Sequence, residues 1–178
     1  MPGTDAGRDD LLAAAPAPVR ESLDRVCAAS DFVSAVCSRQ PGVVAELGSS
    51  GDLSPEALRS PADYFAARAP RWAGEPPSES DVMAALRQWR RREMVRIAWR
   101  DLAGWTTLEE TLAELSAFAD AAIGAACGHA WRQLAALHGE PRSEDGVAQR
   151  LVVVAMGKLG GHELNFSSDV DLVFLYPE

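Results

Sequence analysis

Hydrophobic positions recur at helical spacing through most of the chain and give way to two short apolar runs near its end. Ser30 or Asp31 is placed to cap a helix reaching about Arg39, and Pro41 suits the first turn of another ending near Gly48. Residues 49–80 hold Pro55, Pro61, Pro70, Pro76 and Pro77, which reads as a connecting region with a short helix near Pro55–Arg68. Ser80 or Asp81 then opens a longer helix to about Gly104, with Met83, Leu86, Met94, Ile97, Ala98 and Leu102 recurring on one side. Thr106-x-x-Glu109 reads as a capping box, and Leu108, Leu112, Leu115, Ala119, Ala122 and Ala126 keep helical spacing behind it toward Gly139.

The pattern then changes. Leu151–Ala155 and Val170–Tyr176 are β-type runs flanking a segment that opens with Gly157, Gly160 and Gly161 and closes with Ser167-Ser168. Strand, turn with a helical piece, strand is the predicted product. The fold class is therefore α+β, a mainly helical region followed by two strands. Met1–Pro18, rich in Ala, Pro and charge, is a predicted disordered lead-in. Residues 19–140 form the helical region, 141–150 a polar linker and 151–178 the start of a second domain.

The candidate chemistry lies in that last piece. Asp169 and Asp171 stand at i and i+2 at the head of the second run, so a strand there sends both carboxylates from one face, with Cα atoms about 7 Å apart. Mg²⁺ takes one or two carboxylates together with waters and phosphate oxygens, and two such ions about 4 Å apart clamp attacking and leaving oxygens. Gly160-Gly161 suits φ > 0 and a close backbone approach to phosphate, with Ser167 or Ser168 as donors and Lys158 as an added positive charge. Lys158 is followed by Leu159, and no glycine stands at the Walker spacing, so this is no P-loop. The glycines do not read Gly-x-Gly-x-x-Gly, and an EF-hand loop from Asp169 places Val173 and Phe174 where a ligand and a glycine belong. Taken singly, an Asp-x-Asp is usually a solvated strand end and a Gly-Gly usually a turn. Their conjunction between two apolar strands favours a site, and Val170–Tyr176, apolar on both faces after the aspartates, reads as a buried central strand delivering them to its edge.

The run Met156-Gly-Lys-Leu-Gly-Gly-His-Glu-Leu-Asn-Phe-Ser-Ser-Asp-Val-Asp-Leu172 resembles the N-terminal catalytic signature of the bifunctional glutamine synthetase adenylyltransferase/adenylyl-removing enzymes, members of the polymerase β-like nucleotidyltransferase superfamily. The resemblance continues upstream through Ser30–Val33, Arg39-Gln40-Pro41 and Arg90–Leu102, and covers about residues 25–178. It implies a nucleotidyltransferase core that starts with these two strands. Glu163-Leu164-Asn165 resembles the N-terminal half, which removes AMP by phosphorolysis of adenylylated tyrosine to ADP and free tyrosine, while the other half attaches AMP from ATP. Carried over by position, Asp169 and Asp171 bind Mg²⁺, and Gly160, Gly161 and Ser168, with Lys158 nearby, hold phosphate. Glutamine synthetase is the implied protein substrate, ATP, ADP and phosphate are the implied small ligands, and a PII-type signalling protein is the implied regulator. The superfamily takes a third carboxylate from a later strand. The 178 residues are accordingly expected to be a truncated N-terminal fragment, inactive alone.

Composition narrows the partners. With a net charge of −9, non-specific nucleic-acid binding is disfavoured, and a protein partner is expected. Cys27, Cys37 and Cys127 are odd in number and widely spaced, as reduced cytosolic thiols are, and His129, His138 and His162 have no metal-ligand spacing. There is no apolar run of membrane-span length and no signal peptide, so a cytoplasmic location without membrane attachment is expected.

Arg92, Arg96 and Arg100 make a cationic helical stripe, with Arg87, Arg90 and Arg91 on other faces. A phosphate or acidic partner docking there is one reading; a solvated face, or internal pairs with Glu93, Asp101 and the acidic remainder of the chain, is the other. Trp89, Trp99, Trp105 and Trp131 read as packing residues. The alternative function is a non-catalytic helical module that binds glutamine synthetase or a signalling protein.

Overall fold

The computed structural model describes residues 15–56, 58, 60–72 and 77–176. The lead-in expected over 1–18 falls mostly outside them. The elements are α1 (Ala17–Ala29), α2 (Asp31–Arg39), α3 (Pro41–Ser49), α4 (Pro61–Arg68), α5 (Glu79–Leu102), α6 (Leu108–His138), β1 (Val152–Ala155), α7 (Gly157–Gly160) and β2 (Leu172–Leu175). This is an α+β chain with one two-stranded antiparallel sheet among the described residues.

Local chemistry sets most of the helix ends. Pro18 occupies the first turn of α1 and Pro41 that of α3, where a missing N–H is harmless. Ser30 closes one helix and opens the next: its N–H donates to the Val26 carbonyl, and its hydroxyl accepts from the Val33 N–H at 3.2 Å. Ser60 caps α4, so that helix starts at Pro61 and not near Pro55. The capping box lies one residue later than expected. Thr107 Oγ1 accepts from the Glu110 N–H, and the Glu110 carboxylate accepts from the Thr107 N–H at 2.8 Å. Gly104, at φ 70°, ends α5 in a Schellman turn, in which the Trp105 N–H reaches the Arg100 carbonyl and the Gly104 N–H that of Asp101.

The described chain divides into two compact units. The first comprises residues up to 59 together with Gln88–Thr111. Its core takes Val19, Leu23 and Val26 from α1, Val33 and Val36 from α2, Val44 and Leu47 from α3, and Val95, Ala98 and Trp99 from α5. Each set repeats at three or four residues, as a buried helical face must. Trp99 is fully enclosed, and its indole N–H donates to the Ser22 hydroxyl at 2.9 Å.

The second half of α5 departs from the one-sided stripe that was expected, because Glu93 and all of Val95–Arg100 are buried. The cationic stripe points inward. Glu93, 0% exposed, takes hydrogen bonds from Arg92 and, at 2.7 Å, from Arg96 Nε. Arg92 also grips Glu46 at 2.7 Å and Asp52 at 2.5 Å, and Arg100 donates to the carbonyls of Ser54 and, at 2.7 Å, Glu56. These contacts fasten the chain that follows α3. Of the two readings of the stripe, the structure selects internal pairing, with Glu93 and, from the acidic remainder of the chain, Glu46 and Asp52 as the acidic partners seen.

The second unit comprises Ser60–Arg87 and the chain from Leu112 onward. Phe65 of α4 meets Phe118 of α6 edge to face at 5.5 Å, and Arg68 lies 3.8 Å over the Tyr64 ring. His129 packs its ring against Trp72 at 5.4 Å. Arg142 bridges to Ala148 in a small turn that precedes β1. β1 and β2 pair in the register Val152↔Leu175, Val153↔Phe174, Val154↔Val173 and Ala155↔Leu172. Val152, Val154, Val173 and Leu175, on one face, are all exposed. The buried central strand expected over Val170–Tyr176 is corrected, among the described residues, to a strand over Leu172–Leu175 that has one pairing partner there and mostly exposed side chains.

No helix among the described residues is long and apolar enough to cross a membrane. Trp89 and Trp99 are buried and Trp105 packs on the first unit's core, as packing residues should.

Removing the Glu93 carboxylate takes from the buried Arg96, and from Arg92, the acceptor that they share. Glu93→Ala should lower unfolding stability by about 3–5 kcal/mol, the usual cost of breaking a buried pair. Urea denaturation followed by helical circular dichroism measures this, with the exposed Glu109→Ala, expected to stay within about 0.5 kcal/mol of the parent, as control.

Candidate functional site

The chain leaves β1 at Ala155 and returns to β2 at Leu172, and the ladder extends one step past that pair, since the Met156 N–H donates to the Asp171 carbonyl at 2.9 Å. This bond fixes the composition of the site. Lys158 stands two residues beyond Met156 and Asp169 two residues before Asp171, so the glycine-rich segment and the carboxylate segment emerge at the same end of the hairpin. Asp169 and Asp171 lie in irregular chain just ahead of β2, so the pleat of a strand does not set their common face as expected.

The glycines act differently from the expectation. Gly160 and Gly161 do not have positive φ; that conformation belongs to Gly157 at 57° and to His162 at 56°. The N–H groups of Gly160 and Gly161 donate to the carbonyls of Met156 and Gly157, inside the turn of α7. What Gly160 supplies is proximity, since a Cβ there would lie 2.5 Å from the Ala155 carbonyl oxygen. α7 then ends in a Schellman turn, with the Glu163 N–H on the Lys158 carbonyl and the His162 N–H on that of Leu159. His162 fills the left-handed position that glycine usually takes.

Beyond this turn the loop is held by residues that are not among the predicted site residues. Leu159 and Leu164 are the only buried side chains among the described residues from Leu151 onward. The Leu164 N–H donates to Ser116 Oγ of α6 at 3.1 Å. Asn165 then organises the approach to Asp169: its Oδ1 accepts from the Ser167 N–H at 3.1 Å and from the Ser168 hydroxyl at 2.7 Å, and its N–H donates to Ser168 Oγ at 3.3 Å. An Asn two and three residues before serines is a legible Asx-turn signal. Ser168, placed with the phosphate-holding residues, has its hydroxyl proton engaged in this brace.

Asp169, Asp171 and Lys158 are exposed, and none makes an ion pair or side-chain hydrogen bond among the described residues. Two unengaged carboxylates are hard oxygen donors of the type that Mg²⁺ takes alongside water and phosphate. No cluster of three or more acidic, His or Cys ligands occurs among the described residues, so the donor set fits an ion shared with a ligand and not one caged by this chain alone. A separate cleft of about 550 Å³, lined by Cys127, Trp131, Arg132, Arg150, Phe174 and Tyr176 among others, opens beside the far end of β2 and includes none of the candidate residues.

The family model for glutamate-ammonia ligase adenylyltransferase matches residues 20–178. The chain belongs to that family. A relative from Thioalkalivibrio sulfidiphilus, a bifunctional glutamine synthetase adenylyltransferase/adenylyl-removing enzyme, is 47% identical over 156 residues, 88% of this chain and 16% of the relative. Enzymes of the same name from Nitrosococcus oceani and Pseudomonas aeruginosa are 44% and 41% identical over 160 and 179 residues, covering 89% and 98% of this chain. The chain thus spans 16–18% of the length of these adenylyltransferase relatives.

The glycine pair should prove unequal. Gly160→Ala forces backbone apart where α7 meets Ala155, an overpacking expected to lower stability by about 1–3 kcal/mol. In Gly161→Ala the new methyl meets only the movable carboxylate end of Glu163, at 2.9 Å, and φ is −87°, so the chain should stay within about 0.5 kcal/mol of the parent. Thermal melts of the two variants compare them directly, and equal losses would contradict the close-approach account.

Proposed function

We propose that this chain is part of a glutamine synthetase adenylyltransferase/adenylyl-removing enzyme and belongs to its adenylyl-removing half, within a polymerase β-like nucleotidyltransferase core. The observation that carries the proposal is the pair of unengaged carboxylates, Asp169 and Asp171, at the end of the hairpin where the Met156–Asp171 bond also brings out the glycine-rich segment. The family membership and the names of the relatives support it.

The reaction is phosphorolysis. An oxygen of inorganic phosphate bonds to the phosphorus of the adenylyl group, the bond from that phosphorus to the tyrosine oxygen breaks, the phenolate takes up a proton, and ADP leaves. Asp169 and Asp171 would hold Mg²⁺, which when bound neutralises charge developing on the phosphoryl oxygens. Lys158 lends a further positive charge on the same end of the hairpin, and Gly160 keeps α7 close enough to β1 for that placement. The remaining contribution of these residues is positioning. A loop braced at Asn165 presents the carboxylates with little freedom to lose on binding.

Glutamine synthetase is the proposed protein substrate, and the longer enzyme would also attach AMP from ATP under the control of a PII-type protein in the cytoplasm. With two acidic ligands in hand, the 178 residues are not expected to turn over by themselves. The alternative is a non-catalytic helical module that binds glutamine synthetase or a signalling protein; Arg92, Arg96 and Arg100, engaged internally, offer such a module no cationic stripe for an acidic partner.

Asp169→Asn and Asp171→Asn, each introduced into the longer enzyme, should reduce phosphate-dependent ADP release from adenylylated glutamine synthetase by at least about a hundredfold, with the helical circular dichroism spectrum unchanged. Retention of full activity in either variant would exclude that residue from the metal site.

A further inference from the structure

We propose that Ser116 is a positioning residue for the candidate site, holding the backbone at Leu164 so that Asp169 and Asp171 are presented together. The proposal rests on the reading of these aspartates as metal ligands. Ser116 lies well inside α6 and is 1% exposed. A helix interior offers serine no advantage over alanine, and a buried hydroxyl is costly unless it is hydrogen-bonded. The hydroxyl has a partner across 48 residues of chain, the N–H of Leu164 at 3.1 Å, itself a buried contact. That N–H lies outside both helix and strand, so no regular ladder satisfies it.

The position of this bond gives it leverage. The segment from Leu164 to Asp171 is tied at its downstream end by the Asp171 carbonyl, which accepts from Met156, and at its upstream end by Ser116. Asn165, the next residue, carries the brace that fixes Ser167 and Ser168 and leads directly into Asp169. Every residue from Asn165 to Asp171 except the half-buried Ser168 is exposed, so packing does not place them. The anchor is the Leu164 side chain in its pocket and the Leu164 N–H on Ser116. Loss of the hydroxyl frees the upstream end while Met156 still holds the downstream one, so the β ladder survives and the freedom gained is confined to the residues that carry the ligands.

The test uses the longer enzyme with Ser116→Ala, which adds no bulk and suits a helix, and Ser116→Thr, which keeps the oxygen. In Ser116→Ala, peptides spanning Leu164–Ser168 should exchange with deuterated water about fivefold faster or more, with peptides of α1–α3 unchanged, and Ser116→Thr should return them close to the parent. The Mg²⁺ midpoint of phosphate-dependent ADP release should rise about threefold or more in Ser116→Ala and be restored in Ser116→Thr. Unchanged exchange in the alanine variant overturns the anchor. Faster exchange with an unchanged Mg²⁺ midpoint, or no rescue by threonine, overturns positioning by the hydroxyl and leaves the metal reading intact. A parent enzyme whose ADP release does not depend on Mg²⁺ defeats the metal reading itself, and this proposal with it.

Discussion

A carboxylate sealed from water inside the first unit dictates much of what surrounds it. Glu93 cannot be buried alone, because an unpaired ion in that setting costs several kcal/mol. Arg96 meets it from the next turn and Arg92 from beside it. Arg92 then has donors to spare, and these reach Glu46 in α3 and Asp52 beyond it. Arg100, one turn on from Arg96, takes the carbonyls that follow. A stretch without helix or strand of its own is thereby held in place, and the apolar core packs around the second half of α5, where Glu93 and Val95–Arg100 are all buried.

The same residue types serve the opposite purpose at the candidate site. Glu93 and Asp52 in the first unit are paired with arginine and shielded from solvent, and are of no use to a ligand. Asp169 and Asp171 are exposed and unengaged among the described residues, and the structure organises the backbone beneath them in place of their side chains. That division fits a phosphoryl-transfer site, where the carboxylates must remain available to a cation while their spacing is set in advance. It also explains why Ser168 is turned inward to Asn165: a fixed turn is what the neighbouring aspartate requires.

Helix existence was legible because the signals are local. Ser30, Pro41 and Gly104 act through their own backbone neighbours, and each ends or starts a helix about where its chemistry requires. The inward turn of the arginines was not legible from helical spacing, because a stripe at i, i+4 and i+8 looks the same whether it faces water or carboxylates brought from elsewhere in the chain. The glycine pair misled in another way. Sequence marks where side chains are absent, but not whether the cause is a left-handed φ or a crowded backbone; at Gly160 crowding by Ala155 decides, and the left-handed position falls to His162. Ser116 left no trace at all, since a hydrogen bond across 48 residues has no periodicity to betray it.

The exposed face of the hairpin bears on how the site keeps its shape. Among the described residues one aliphatic face of the hairpin meets solvent. Register between the two strands fixes the ends of the loop and leaves the irregular chain between them to other contacts. Within the second unit Phe118 of α6 packs against Phe65 of α4, and Ser116 lies two residues away on the same helix. On the proposed reading the carboxylates take their positions from a helix that contributes none of the candidate ligands, and the Met156–Asp171 bond at the head of β2 closes the far end of the loop.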